Sequence, residues 1–362
     1  MGQASIKDYT FKKAAQKRIP VSGTFELTSR CNLSCRMCYI HMNAKDQCCF
    51  GKELSTQQWL QIADEAIEAG MIYCLLTGGE PLLRPDFKEI YTYLVKKGVL
   101  VTVNTNGILI TPEIVQLFQE YRPEKINISL YGASEETYQR VCNQSMYKKA
   151  KESILMLKEA GIRVNINTTF TKLNESDLNE LVTFAKEESI PIRTTAFIFP
   201  PVRNKQNAES DIYLSQKEMG ILSAKFDSLT MDQERIKRRQ NYIHKCLSDT
   251  YGEEAIEKKL SCMAGRGSFW ISWNGEMYPC GMLDGYKADI IKDSFTNVWK
   301  NICEQTNTIV LPKECSVCKY QRICASCAAV SASLYEKTNH LPIEMCERTE
   351  AYIQEFLKLN KE

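Results

Sequence analysis

Long apolar runs are missing from this chain of 362 residues. No stretch of about 18 consecutive apolar residues occurs, so a transmembrane helix is excluded on length. The opening, Met1-Gly2-Gln3-Ala4-Ser5-Ile6-Lys7-Asp8, lacks the apolar stretch of a secretory signal. Ile6 also stands where a myristoylation motif wants Ser or Thr. A cytoplasmic protein without a membrane partner is therefore expected. Excess charge of either sign is lacking too. Lys and Arg number 46 against 44 Asp and Glu, a net charge of +2, and nothing requires a nucleic acid or another polyanion. Internal repeats and low-complexity segments are absent. Histidine is scarce, at 3, while cysteine reaches 16. In a reducing compartment so many cysteines are a poor disulfide framework, and metal or redox chemistry becomes the leading account.

Hydrophobic residues make up 44% and charged residues 25%, close to a globular average and ample for a core. The length suggests two domains. Between about residues 23 and 198, short apolar runs alternate with amphipathic stretches. Strands are expected at 23–28, 72–76, 100–104, 125–130, 162–168 and 192–197, with helices at 55–69, 86–96, 112–119, up to 160, and 176–188. Six successive β/α units argue for parallel strands covered by helices. Periodicity alone leaves a doubly wound sheet and a partial barrel open. A dinucleotide-binding fold would want G-x-G-x-x-G after the first strand, and cysteines stand there instead.

Beyond Phe199-Pro200-Pro201 the polar stretch 202–211 reads as a loop and 214–246 as helical. The basic run Arg235-Ile236-Lys237-Arg238-Arg239 reads as a solvated helix face rather than a docking patch. From about 260 to 346 the texture turns to cysteine, glycine and short elements, and an amphipathic helix closes the chain from about 347.

Two cysteine sets carry chemistry. The first is Cys31-x3-Cys35-x2-Cys38-Tyr39, directly after the first strand. Three thiolates on one loop can converge on a metal centre, whereas structural zinc and most clusters take four protein ligands. A set of three leaves one iron of a [4Fe–4S] cluster open. The second set is Cys262-x12-Gly275-x4-Cys280, then Cys315-x2-Cys318-x5-Cys324-x2-Cys327 and Cys346. Taken alone, Cys315–Cys327 also fits the paired spacing of a zinc ribbon, although Cys262, Cys280 and Cys346 would then lack a role.

The first set, closed by aromatic Tyr39, resembles the signature of the radical SAM superfamily. That resemblance implies a partial (β/α)6 TIM-like barrel at 23–200, in which Cys31, Cys35 and Cys38 hold a [4Fe–4S] cluster whose open iron chelates S-adenosylmethionine. One electron then yields a 5′-deoxyadenosyl radical that abstracts hydrogen from substrate. Gly78-Gly79-Glu80-Pro81 resembles the family's GGEP motif, which holds the methionine amino group, and Asn104-Thr105-Asn106-Gly107 resembles a segment near the cofactor. Ser129 and Thr168 fall at ends of later strands, where barrel-like folds gather ligands, and Arg193 lies early on the sixth. Together with Tyr39 and Asn106 they are the expected cofactor contacts.

The second set resembles the SPASM extension, which implies a small cysteine-rich domain at 260–346 with two auxiliary clusters. By that resemblance Cys315, Cys318, Cys324 and Cys346 hold one [4Fe–4S] cluster, and Cys262, Cys280 and Cys327 the other. Residues 1–22 form an N-terminal extension, 201–259 a loop and helical linker, and 347–362 a C-terminal helix. Two departures stand out. The family has three residues between its last paired cysteines where Ala325-Ser326 are two. The Cys262 cluster also has only three assigned ligands, its fourth iron being open or taken by Cys246, Cys303 or a non-cysteine group. Cys48 and Cys49 read as loop or core, Cys74 and Cys142 as packing, and His41 as structural.

The resemblance implies three [4Fe–4S] clusters, S-adenosylmethionine and an external electron donor such as a flavodoxin or ferredoxin. Its leading substrate class is a peptide or protein side chain. With about 22 residues before the first strand, a leader-binding domain is expected to be absent or supplied by a separate protein. Alternatives are a small-molecule biosynthetic enzyme, an activator of a partner enzyme, and a non-enzymatic zinc or iron–sulfur protein. Gly281 stands where formylglycine-forming activators carry an Asp base, which counts against that chemistry.

Overall fold

The structure is a computed structural model and describes residues 6–40, 42, 47, 49–195, 197–202, 210–249, 254–324 and 327–361. His41, Cys48, Ala325 and Ser326 lie outside the described residues. Six strands run parallel in sequence order: β1 (Ser22–Glu26), β2 (Tyr73–Thr77), β3 (Leu100–Thr105), β4 (Lys125–Ser129), β5 (Val164–Thr168) and β6 (Ile192–Thr194). Alternation along them sets up two different faces. Val101, Val103, Ile126 and Ile128 are fully buried on one face, against helices that include α2 (Thr56–Glu68) and α3 (Phe87–Lys96). Each such side chain contributes about 1.5–3 kcal/mol through burial. Thr102, Asn104, Asn127 and Ser129 alternate with them and are half-buried. They give the concave face a polar lining.

The helices start where the sequence can satisfy their unpaired amides. Ser55 and Gln58 form a capping box on α2, and Thr111 caps α4 (Pro112–Glu120) ahead of a proline in its first turn. Helices α5 (Glu135–Cys142), α6 (Tyr147–Glu159) and α7 (Leu178–Glu187) complete the barrel-side layer.

The C-terminal third adds to this sheet rather than standing apart from it. After β7 (Lys258–Lys259), strand β8 (Ser268–Ile271) pairs in parallel with β1, with Thr24 opposite Trp270. Strands β9 (Glu276–Tyr278) and β10 (Ala288–Asp289) follow antiparallel, giving the order β10-β9-β8-β1-β2-β3-β4-β5-β6. Helix α10 (Phe295–Asn307) covers this end, and β11 (Val310–Leu311) pairs with β7.

Two local expectations are revised, and one element is added. The single helical run at 214–246 is two helices, α8 (Gln216–Thr230) and α9 (Gln233–Ser248). Met231 is extended between them, and the Asp232 side chain accepts from the Arg235 amide at 2.7 Å to restart the helix. The last helix, α12, spans Ile343–Leu359 and so includes Cys346; the short α11 (Ala328–Tyr335) precedes it. The N-terminal extension contains α1 (Ile6–Lys17), whose Ala14 and Ala15 are buried.

Candidate functional site

The loop after β1 carries Cys31, Cys35 and Cys38, and its backbone is tied to the end of α5. A helix leaves its last carbonyls unpaired, and here the loop supplies donors. Ser34 N donates to Cys142 O at 3.4 Å and Arg36 N to Val141 O at 3.0 Å. Just past the helix, Asn143 and Gln144 donate side-chain amides to Ser34 O (2.8 Å) and Asn32 O (2.9 Å). The start of the loop is pinned by Arg30, whose guanidinium donates to Glu53 at 2.9 and 3.0 Å.

The second wall is the turn after β2. Gly79 N donates to Thr28 O and Glu80 N to Arg30 O, both at 2.8 Å. A Cβ on Gly78 would come within 2.3 Å of Thr28 O, and one on Gly79 within 2.3 Å of Arg30 O. Gly78 also has φ +148°, a region that favours glycine. The two glycines therefore let this turn lie directly on the cysteine loop.

Between these walls is a cavity of about 490 Å³ lined by Cys31, Cys35 and Cys38, and also by Tyr39, Gly78, Gly79, Asn106, Ser129, Thr168 and Arg193. Glu80 and Pro81 are not among its lining residues. Glu80 is fully buried beneath it, accepting from Asn106 N (2.8 Å), Leu82 N (3.0 Å) and Thr105 Oγ1 (2.9 Å), so it holds the turn that presents Asn106. Burial pushes its carboxyl up to about 7. Asn106 in turn donates to Asn32 Oδ1 at 2.7 Å, linking the β3 end to the cysteine loop. The wall also includes Asn104, in the segment already noted near the cofactor, and Asn167 beside Thr168. Tyr131, just past the end of β4, is a wall residue that the sequence reading missed.

The donor set fits an iron–sulfur cluster. Three thiols and close-approaching backbone face one polar hollow, and three is the number that leaves an iron for another ligand. Among the described residues, no three His, Cys, Asp or Glu side chains converge as a single-ion site. Thiolates on one zinc must all lie about 2.3 Å from it, whereas a cubane spreads its ligands over four irons. Burial pushes the Cys31 thiol up to about 12. Contact with Cys142, then burial, raises Cys35. Ligation must displace those protons.

A second cavity, of about 500 Å³, is lined by Cys315, Cys318, Cys324 and Cys346 together with Leu311, Pro312, Tyr320 and Leu341. Burial, and then Cys324, Cys318 and Cys315, push the Cys346 thiol up to about 11, which places all four within electrostatic reach. Cys280 and Cys327 pack on one apolar cluster around Leu283 and Ile309, and Cys327 acts on Cys262. The two thiols considered as a fourth ligand for the Cys262 set lie elsewhere. Cys303 belongs to the main core, with Arg18 as the first charge to act on it after burial. Cys246 is fully buried on α9 and interacts with Tyr242. Gly281 lies against the Trp270 ring, where a Cβ would come within 2.7 Å.

Parallel β/α units, a three-cysteine loop after the first strand and a polar hollow at the strand ends define an S-adenosylmethionine-dependent iron–sulfur enzyme class. The chain belongs to the radical SAM superfamily, whose family model matches residues 25–185. Family membership implies S-adenosylmethionine and a [4Fe–4S] cluster. An AdoMet-dependent heme synthase of Methanosarcina barkeri is 30% identical over 323 residues, covering 84% of this chain and 90% of that protein. The mycofactocin maturase MftC of Mycobacterium tuberculosis is 30% identical over 287 residues, 78% of this chain and 71% of that one. The structure of native anSMEcpe with bound AdoMet and Kp18Cys peptide matches with TM-score 0.70 at 17% identity, covering 93% of this chain and 97% of that one. It shares the fold, a TIM-like parallel barrel. Among the described residues no helix is long and apolar enough to cross a membrane.

Proposed function

We propose that this enzyme removes a hydrogen atom from a side chain of a peptide or protein, and that it holds three [4Fe–4S] clusters, two of them in a C-terminal module of the SPASM kind. The observation that carries the reading is the single hollow joining Cys31, Cys35 and Cys38 to Gly78, Gly79, Asn106, Ser129, Thr168 and Arg193. Bound there, the cluster and S-adenosylmethionine would supply a carbon-centred radical. The protein's part is placement and exclusion of water. The three cysteines hold iron; the Gly78–Gly79 backbone and Asn106 face the amino-acid end of the cofactor; Ser129, Thr168 and Arg193 orient its polar groups. Val202 N donates to Tyr39 O at 2.8 Å, so the segment after β6 lies against the cysteine loop and shields that edge.

Cys315, Cys318, Cys324 and Cys346 would hold one auxiliary cluster and Cys262, Cys280 and Cys327 the other, whose remaining iron is left for a substrate thiolate. The placement of Cys246 and Cys303 in separate packing supports that open position. A flavodoxin or ferredoxin supplies the electrons. The peptide reading draws on the maturase among the relatives. A second reading, an iron–porphyrin precursor as substrate, is favoured by the heme synthase, which matches a larger share of both chains, and by Arg193 as a cation for a propionate.

Anaerobically reconstituted protein with dithionite and S-adenosylmethionine should form 5′-deoxyadenosine and methionine. Absence of both from iron-loaded protein would overturn the reading. Deuterium from a labelled peptide or a labelled porphyrin, appearing in 5′-deoxyadenosine, separates the two substrates.

A further inference from the structure

Helix α12 carries a charged side chain on its buried face. Arg348 is 7% exposed, among Met345, Thr349, Tyr352, Ile353 and Phe356, which are also buried. Arginine keeps its charge throughout the working pH range. Its helix neighbours show where it lies. Met345, one turn earlier, packs with Phe197 and Val330 against Cys327. Cys346 and Thr349, flanking it, line the cavity that also holds Cys315, Cys318 and Cys324. The backbone of Arg348 is fixed as well, because a Cβ on Gly220 of α8 would come within 2.3 Å of Arg348 O.

We propose that Arg348 is a positioning residue at the seam between the two auxiliary cysteine sets, its fixed cation raising the reduction potential of both clusters. The inference rests on the reading that those sets hold iron–sulfur clusters. Cys324 belongs to one set and Cys327 to the other, and both act electrostatically on Arg348. Thiols are neutral, but iron-bound thiolates are anionic, so a buried guanidinium beside them acts on the charge of the cluster. Reduction of a cluster by dithionite adds one electron and no atoms. The reduced cluster therefore carries one more negative charge than the oxidised one. A nearby cation in a low-dielectric site stabilises the reduced form more.

The test is a dithionite titration of reconstituted full-length protein followed by electron paramagnetic resonance, with the Cys31/Cys35/Cys38 cluster as internal reference. Arg348→Met should lower both auxiliary potentials, cutting the reduced-to-oxidised ratio at fixed poise about tenfold, near 59 mV. The reference cluster should not move, and Arg348→Lys should restore most of the loss. Unchanged auxiliary potentials in iron-replete Arg348→Met, or equal shifts in the Lys and Met variants, would overturn the inference alone. If Arg348→Met fails to hold auxiliary iron, Arg348→Lys decides: potentials near those of the unaltered protein support the role of charge, and displaced ones refute it. Unaltered protein that takes up a single cluster overturns the cluster reading and this inference with it.

Discussion

Two cavities of nearly equal size, about 490 and 500 Å³, lie in the two halves of this molecule, and they differ by one thiol. The barrel hollow has three cysteines, and its remaining wall combines glycine backbone, asparagine, serine, threonine and arginine with Leu33, Met37, Ile40 and two tyrosines. The C-terminal cavity has four cysteines, and much of what remains is Leu311, Pro312, Tyr320 and Leu341. Under the proposed assignment, the cavity short of a thiol does chemistry, because an unfilled position on iron can take a reactant. The cavity with its full set stores and passes electrons.

The largest effects should come from exchanging ligands between these two kinds of cavity. Cys35→Ala removes one of three thiols from the barrel hollow. It should abolish 5′-deoxyadenosine formation while about two thirds of the iron remains. Cys324→Ser should do the reverse, losing about a third of the iron while cleavage of S-adenosylmethionine without substrate continues. Iron assay and product analysis on both variants check the contrast, and equal loss of cleavage would break it.

A smaller effect is expected from the backbone that only the barrel hollow uses. Gly79→Val would drive a side chain into Arg30 O. We expect a loss of roughly 1–3 kcal/mol in stability from such crowding, with weakened S-adenosylmethionine binding by calorimetry and auxiliary iron retained. Next comes a pH effect. The Glu80 carboxyl is raised by burial from 4.5 to about 7, so its buried site favours the protonated form. Its contribution to stability is full below pH 4.5 and fades as the pH rises through 7. Melting temperatures of cluster-free protein should therefore fall across that window more steeply than those of Glu80→Gln. Smallest of all, Cys303→Ala and Cys246→Ala should cost about 1 kcal/mol of packing and no iron. Iron loss in either would supply the Cys262 set with a fourth ligand.

The legibility of the chain follows the same division. The barrel strands were readable because Val101, Val103, Ile126 and Ile128 alternate with polar partners, and Gly70, Gly98 and Gly161 close helices with positive φ. Spacing and strand-end position singled out the cysteine loop, Gly78, Gly79, Ser129 and Thr168. Tyr131 went unread because nothing local separates a wall tyrosine from a core one. The β8–β9 hairpin left a signal in Asn274-Gly275, a turn pair, but surrounding cysteines drew the reading to ligand spacing. The break at Met231 was hidden by a helical pattern on both sides, with only the Asp232 cap to mark it. The burial of Glu80 depends on contacts with Thr105 and Asn106 some 25 residues away, which no local pattern reports.

The pairing of β8 with β1 has a consequence for how the chain is made. Trp270 donates to Glu26 at 2.7 Å across 244 residues of sequence, so β1 leaves the ribosome long before the strand that pairs with its outer edge. Until residues 268–271 emerge, β1 is a bare sheet edge, the kind of surface that templates aggregation. The cysteine loop starts only five residues beyond that strand. A nascent chain thus exposes an unpaired edge and three thiols together until β8 emerges. Overproduction should therefore yield inclusion bodies in preference to soluble cluster-free enzyme, and slower translation with a holdase chaperone should recover soluble protein more effectively than added iron.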